Sequence, residues 1–507
     1  MSLARICSSA LLGVDAIQVT VETHLSNGMP GFAIVGLPET AVKESKERVR
    51  SAILNSGLDF PQRRITINLA PADLPKAGGR YDLAIALSIL AASGQIDKDL
   101  LDGTEILGEL ALDGTLREVQ GAVPAILGAR AQGHKIILPE TNSVELGLVA
   151  YAHSYCVGNL LQLVTQLANK TDLTGVQDLP RSHQSVNKQP AQFTELRGQL
   201  QARRAVQIAA AGGHNLLMIG PPGSGKTLLA NTLIGLLPSM DEREALEVAT
   251  IKSVANIQVN SCNWQQRPIR SPHHTASSIA LVGGGNKASP GEISLAHRGV
   301  LFLDELTEFK AGVLDALREP LESGEITISR ANYRIKFPAN FQLLAAMNPC
   351  PCGYASDPKN ECRCTEDRIV RYLGKLSGPL LDRLDLMIEV PSLSQAELLQ
   401  HRNEVTDWEE IKNRISQCRT MQIHRNGKLN ADLQAGDLDK FCQLSTPLRN
   451  SLAKIMDSLA MSARATHRVI KMARTIADFE GSAEIRKQDL MEAISYRRCQ
   501  TIKSVIR

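Results

Sequence analysis

The chain has 507 residues, which at about 100–200 residues per domain implies two to four domains. Lys+Arg 56 against Asp+Glu 53 leaves a formal net charge of +3, so a nucleic-acid surface has to be a local concentration of cations and not a property of the whole chain. An aromatic content of 4% disfavours a carbohydrate cleft or a stacking-rich single-strand binder, and no apolar run approaches the roughly 18 residues of a membrane span.

In chain order, Met1 to Asp15 imitates a secretory leader only faintly, because Ser8 and Ser9 break its apolar run, and it reads as a buried first strand. Ile17 to His24 alternates with period two and predicts a second strand. Pro38 to Asn55 carries Val42, Val49 and Ile53 on one helical face and stops before Gly57. Arg64 to Asn68 reads as a strand, Asp82 to Ser93 as an apolar helix and Lys135 to Pro139 as a short buried strand, together an α/β domain over 1–170. Residues 171–192 turn polar and lose period around Pro180 and Pro190, the composition of a linker. Residues 193–391 alternate strand and helix in βαβ order, which implies a parallel sheet with helices on both faces. From 392 to 507 strand signals vanish, and helical periodicity over 395–420, 433–442, 447–460, 466–479 and 487–498 predicts an all-helical domain.

The chemistry concentrates in the middle part. Apolar Leu216 to Ile219 runs into Gly220, Pro221, Pro222, Gly223, Ser224, Gly225, Lys226 and Thr227 and then into a helix, the context a phosphate loop needs. In such a loop the backbone N–H groups and the helix N-terminus surround the β-phosphate of ATP, Lys226 reaches the β/γ-phosphates and the Thr227 hydroxyl ligates Mg2+. A second apolar strand, Val300 to Leu303, ends in Asp304, expected to hold Mg2+ through water, and Glu305, expected to polarise the attacking water. A third, Phe341 to Met347, ends in Asn348, whose amide could orient the same water.

Of ten cysteines, Cys350, Cys352, Cys362 and Cys364 form a C-x-C, nine-residue loop, C-x-C arrangement within 349–365. It suits a structural, tetrahedral Zn2+, with reduced free thiols as the alternative. Glu325 to Phe337 reads as a β-hairpin with Ile326, Ile328, Ile335 and Phe337 available to one face and Asn332 in the turn. Arg330, Arg334 and Lys336 on it, and Lys287 in the Gly-rich loop 280–290, are candidate phosphate contacts for DNA, against a solvated edge hairpin and a plain connector. Adjacent His273 and His274 cannot share one face of an element, which favours a structural or DNA-contact role over metal binding.

These motifs, with Arg270 to Thr275, Pro290 to His297, Gly299 to Glu305, Ala346 to Gly353 and Leu380 to Asp385, resemble the magnesium-chelatase-like AAA+ proteins of the ComM/YifB group over nearly the whole chain. The resemblance implies a P-loop AAA+ core followed by a helical lid, in a ring-forming, hexameric ATPase. It implies Asn348 as sensor 1, Arg383 as the arginine finger reaching the neighbouring subunit, and Arg468 as the sensor 2 arginine of the lid, with Arg464 and Arg474 close by. It further implies that the hairpin projects into the ring pore, and that the motor is a DNA helicase promoting branch migration as incoming DNA is integrated in natural transformation, with recombinase machinery a further partner. The amino-terminal domain resembles the Lon protease C-domain, an S5-like fold, with Arg80 where the protease carries its nucleophilic Ser. It is read as a DNA-binding or ring-organising collar, with Arg63, Arg64, Lys76 and Arg80 as phosphate contacts or as a solvated basic face. The rivals are a metallochelatase-type remodeller of a protein partner and an ATP-dependent protease, the latter opposed by Arg80. The expected location is cytoplasmic, without membrane attachment.

Overall fold

The computed structural model describes residues 2–37, 39–169, 171, 173–175, 198–259, 261–285, 288–329, 334–355, 357, 359–392, 407–459 and 461–497. β1 (Ser2–Leu12) and β2 (Asp15–Ser26) pair antiparallel from end to end and turn at Gly13, whose φ of +66° suits a residue without a side chain. β3 (Gly31–Val35), β4 (Arg64–Ala70) and β5 (Thr104–Ile106) follow, then a small separate pair, β6 (Glu109–Leu110) and β7 (Leu116–Arg117), then β8 (Lys135–Pro139), β9 (Ser154–Val157) and β10 (Thr174–Gly175). Apart from β6 and β7 these strands make one eight-stranded mixed sheet in the order β10-β9-β8-β5-β1-β2-β4-β3.

The alternation that marked β2 is the alternation of burial: Val19, Val21, Thr23 and Leu25 all face inward. The helix Asp82–Ala92 shows no polar face because it has none to show, ten of its eleven residues being buried. Each fully buried Leu or Ile there stabilises the domain by about 1.5–3 kcal/mol. Its one acid, Asp82, is held by Arg48 Nε at 2.7 Å. Arg80 and Lys76 are buried, so they cannot be the surface phosphate contacts expected of them, whereas Arg63 and Arg64 are exposed. β10 pairs with β9, so the first sheet continues into the stretch read as linker; residues 176–197 lie outside the described residues.

The second part brings β11 (Leu216–Ile219), β12 (Ile269–Arg270), the pair β13 (Gly283–Gly284) and β14 (Ser289–Pro290), β15 (Val300–Leu303), the hairpin β16 (Glu325–Ser329) and β17 (Arg334–Pro338), β18 (Gln342–Met347) and β19 (Leu386–Glu389). Five of them form an all-parallel sheet in the order β12-β15-β18-β11-β19. Every residue of β11, β15 and β18 is buried, which is why these strands read as unbroken apolar runs.

Beyond it stand the helices Trp408–Asn426, Ala435–Phe441, Thr446–Leu459, Ala463–Phe479 and Lys487–Ser495. They share one apolar cluster with the helix Leu200–Gly212 and with β11 and β19, so they are packed on the sheet domain. The start of the first expected helix, 395–406, lies outside the described residues.

The amino-terminal sheet is also seated on this core. Gly121 N–H donates to Ser253 O at 3.1 Å and Gln120 Nε2 to Val254 O at 2.5 Å. Leu11, Leu12 and Val14 at the β1–β2 turn pack against the cluster that holds Ile328 and Ile335 of the hairpin. No helix among the described residues is long and apolar enough to cross a membrane.

Candidate active site

Because the five strands run parallel, each delivers the residue that follows it to the same edge of the sheet. β11 delivers Gly220, β15 delivers Asp304 and Glu305, and β18 delivers Asn348. Gly223 and Gly225 take left-handed φ values of +75° and +88°, with no atom within 4 Å of where a Cβ would stand. The loop from Pro221 to Gly225 is therefore free to curl its N–H groups round an anion ahead of the helix Lys226–Leu236. Lys226 lies inside the curl, its Nζ donating to Gly220 O at 2.8 Å, Pro221 O at 2.9 Å and Asn348 Oδ1 at 3.3 Å. Burial pushes its ammonium below the ordinary lysine value, with Asp304 and Glu305 opposing. Ser224 Oγ is buried with no hydrogen-bond partner. An orphaned hydroxyl, a buried cation and an open glycine cradle fit the phosphates of ATP. Thr227 Oγ1 and Asp304 Oδ2 stand 3.3 Å apart, the hydroxyl and carboxylate pair that would hold Mg2+.

Glu305 has a left-handed backbone, φ +51°, which for a side-chain-bearing residue costs about 1–3 kcal/mol and persists only where surroundings impose it. Its N–H bonds Asp304 Oδ1 at 2.8 Å, while its exposed carboxylate turns to His274, Oε2 to Nδ1 3.3 Å. The His274 ring is stacked on His273 with centroids 4.1 Å apart and meets Phe309 edge-on at 6.5 Å. The sequence reading missed this contact. The signal was available: β12 pairs parallel with β15, Arg270 opposite Leu301, so the residues after Arg270 arrive beside those after Leu303.

Cys350, Cys352, Cys362 and Cys364 converge, their sulfurs all within 4.8 Å of one another. The separations of Cys350 from Cys352 (3.3 Å), Cys350 from Cys362 (3.7 Å) and Cys352 from Cys362 (3.6 Å) sit close to the roughly 3.8 Å that four ligands at ~2.3 Å from a tetrahedral ion require. The Tyr354 N–H foremost holds the Cys352 thiol down to about 6, while desolvation foremost pushes the Cys350 and Cys364 thiols up, and the Cys362 thiol is also raised. The knuckle leans on the phosphate loop, for a Cβ at Gly353 would meet Pro222 Cδ at 2.6 Å.

The expected arginines stand elsewhere. A cavity of about 790 Å3 opens at the opposite edge of the sheet, lined by Asn215, Gly299, Gln342 and Asp385 from the amino ends of β11, β15, β18 and β19. Arg383 lies there with its guanidinium on Glu322, and Arg464 shares the same carboxylate at 3.1 Å. Arg468 is pinned to Asp385, whose buried carboxyl is held well below the ordinary range by Arg468 and His214 against its own burial. Arg474 is buried on Asp478 and the carbonyls of Ser482 and Ala483. Arg464 is thus the exposed one of the three, with 65% of its side chain accessible against 20% for Arg468 and 4% for Arg474.

In the hairpin, Ile326 faces Phe337 and Ile328 faces Ile335, all four buried, and Arg334 and Lys336 are exposed on the other side, Lys336 paired with Glu325 at 2.9 Å. Arg330, Asn332 and Lys287 lie outside the described residues.

Three family profiles match the chain: "Subunit ChlI of Mg-chelatase" over residues 21–142, "Magnesium chelatase, subunit ChlI" over 192–398 and "Magnesium chelatase, subunit ChlI C-terminal" over 406–497. Among similar proteins, "Competence protein ComM" of Haemophilus influenzae is 49% identical over 98% of both chains. "Uncharacterized protein YifB" of Escherichia coli is 48% identical over 98% of this chain and 97% of its own. The "Magnesium-chelatase 38 kDa subunit" of Cereibacter sphaeroides is 27% identical over 40% of this chain and 60% of its own. Identity near one half over 98% of the chain means that it belongs to the ComM/YifB group of magnesium-chelatase-like AAA+ proteins.

Proposed function

We propose that the chain is an ATP-hydrolysing DNA motor that works as a homo-hexameric ring, a helicase driving branch migration while incoming DNA is integrated by homologous recombination in natural transformation. One observation carries the reading. Lys226, Thr227, Asp304 and Glu305 occupy the carboxyl edge of the sheet, and Arg383 and Arg464 the amino edge, so neither arginine can serve its own chain's phosphate loop. A complete site needs one edge of each of two copies, and head-to-tail contacts of that kind close into rings.

In that site Lys226 leaves the loop carbonyls to neutralise the β- and γ-phosphates of ATP, and Thr227 and Asp304 hold Mg2+, which supplies further neutralisation of the phosphate oxygens. Glu305, released from His274, polarises the attacking water, with Asn348 beside Lys226 to orient it. The neighbour's Arg383 stabilises the charge that develops on the transferred phosphoryl. Arg464 suits the sensor role better than Arg468, because Arg468 already compensates buried Asp385 and would strand it by leaving. The thiol cluster, holding Zn2+, stiffens the segment against the phosphate loop. Arg334 and Lys336 meet DNA phosphates without reading bases.

A relative named for competence matches end to end, which supports the transformation role; the chelatase subunit covers a minority of the chain, which disfavours the remodeller. The test is ATP turnover with and without branched DNA, alongside strand exchange on a mobile junction. We expect DNA to stimulate turnover and the junction to migrate only with ATP. Turnover indifferent to DNA, with no migration, would leave the remodelling of a protein partner instead.

A further inference from the structure

The amino-edge cavity contains a cation with which no described residue of its own chain forms an ion pair. Seven arginines line it, and six of them have a carboxylate: Arg267 pairs with Glu244, Arg243 and Arg298 with Glu247, Arg383 and Arg464 with Glu322, and Arg468 with Asp385. Arg419, on the helix Trp408–Asn426, has none among the described residues. It is only 7% exposed, and its Nε and Nη1 are buried without any hydrogen-bond partner. Glu244 and Asp432 act on it at Coulombic range only, and Glu244 is already taken by Arg267.

Burial of an unpaired guanidinium is unfavourable unless an anion answers it, and here burial pushes Arg419 down to about 9. The cavity reaches Arg419, and Gly213, left-handed at φ +74°, passes beside its guanidinium, where an added Cβ would stand 3.8 Å from Nη2 and 3.0 Å from Leu429 Cδ1. Among the described residues around the cavity, seven arginines and two lysines face seven carboxylates, an excess of two positive charges. Two of those carboxylates, Glu322 and Glu247, are each shared between arginines.

We infer that the floor of this cavity, around Arg419, is a binding site for a phosphate-class dianion, separate from the phosphate loop at the far edge of the sheet. A phosphate-class oxyanion accepts a charge-assisted hydrogen bond from Nη2, the one guanidinium nitrogen not buried without a partner, and its two charges match the excess. The site needs no assumption about DNA or hydrolysis, so its failure would leave the proposed function standing.

The experiment is calorimetric titration of full-length protein carrying Lys226→Ala, which disables the phosphate loop, with sodium phosphate against sodium chloride at matched ionic strength. One phosphate per chain is expected to bind. Adding Arg419→Gln should weaken that binding at least tenfold, whereas Arg419→Lys should keep part of it. Single Arg419→Gln protein with wild-type ATP affinity would show that its fold is intact; if it misfolds, the Arg419→Lys protein carries the comparison. Titration with ADP in place of phosphate tells a nucleotide's phosphates from the free ion. Equal phosphate binding with and without Arg419→Gln, no binding up to about 10 mM, or acetate binding as well as phosphate would each overturn the assignment.

Discussion

The two edges of the five-stranded sheet share a scaffold and differ in how their charges are assembled. At the carboxyl edge each group follows a strand directly: Gly220 after β11, Asp304 after β15, Asn348 after β18. Backbone direction alone brings them together. At the amino edge the cations come from a loop before β19 (Arg383), from the helix Ala463–Phe479 (Arg464, Arg468) and from the helix Trp408–Asn426 (Arg419), and only packing of helices on the sheet gathers them. The first kind of site is robust to changes elsewhere; the second depends on the docking that builds it.

That contrast can be broken from either side. The largest effect is expected from Lys226→Ala, which should abolish nucleotide binding and hence turnover, measured with a fluorescent ATP analogue. Next comes Arg383→Ala, expected to lower turnover by about 10³-fold or more while nucleotide affinity stays unchanged, since an arginine finger acts on the transition state, with a loss of turnover also expected for Arg464→Ala in the sensor position. Glu305→Gln should keep ATP bound and slow its hydrolysis by about 10²–10⁴-fold.

Stability separates the edges further. Asp385→Asn leaves Arg468 and His214 without their buried carboxylate and should cost about 3–5 kcal/mol in denaturant unfolding, whereas Asp304→Asn should cost little. The amino edge should also be the acid-sensitive one. The hydrogen bond from His297, with Arg298 beside it, holds Glu247 down to about 2. A depressed carboxyl stabilises the fold above its unfolded value, near 4.3, and that contribution disappears as pH falls toward the folded value. Acid unfolding of Glu247→Gln protein should therefore be shallower than wild type between pH ~4.5 and ~2. The smallest effect belongs to the hairpin, where Arg334→Ala with Lys336→Ala should weaken DNA binding alike for all sequences and reduce the salt slope by up to about two units, leaving ATP binding intact.

Much of this was legible in the sequence, and the division follows the same contrast. β1, β2, β4 and β8 of the first sheet, β11, β15 and β18 of the second, the phosphate loop, the two acids and the thiol cluster announce themselves because period, motif and spacing are local, whereas β3, β5, β9, β10, β12 and β19 are too short or too weakly patterned to do so. The four apolar hairpin residues were assigned to one face by alternation, and all four are buried. What escaped was tertiary. That His274 reaches Glu305 depends on β12 lying beside β15, a neighbour relation that no short motif states. Lys76 and Arg80 look like surface cations in a Gly-rich stretch, yet both are buried, Lys76 Nζ donating to Pro71 O and Arg80 Nη1 to Gln120 O at 3.4 Å, partners that no local pattern states. Choosing among Arg464, Arg468 and Arg474 turns on which one a buried carboxylate has already taken.

The central claim is that one hydrolytic site is built from the carboxyl edge of one copy and the amino edge of the next, and mixing tests it directly. Chains carrying Arg383→Ala with Arg464→Ala keep an intact phosphate loop and acids, and chains carrying Glu305→Gln keep intact arginines. Each is expected to be inactive alone, and the mixture to recover a measurable fraction of wild-type ATP turnover at the interfaces that pair the two intact edges. A mixture as inactive as its components, with mixed rings confirmed by native mass spectrometry, would contradict the account.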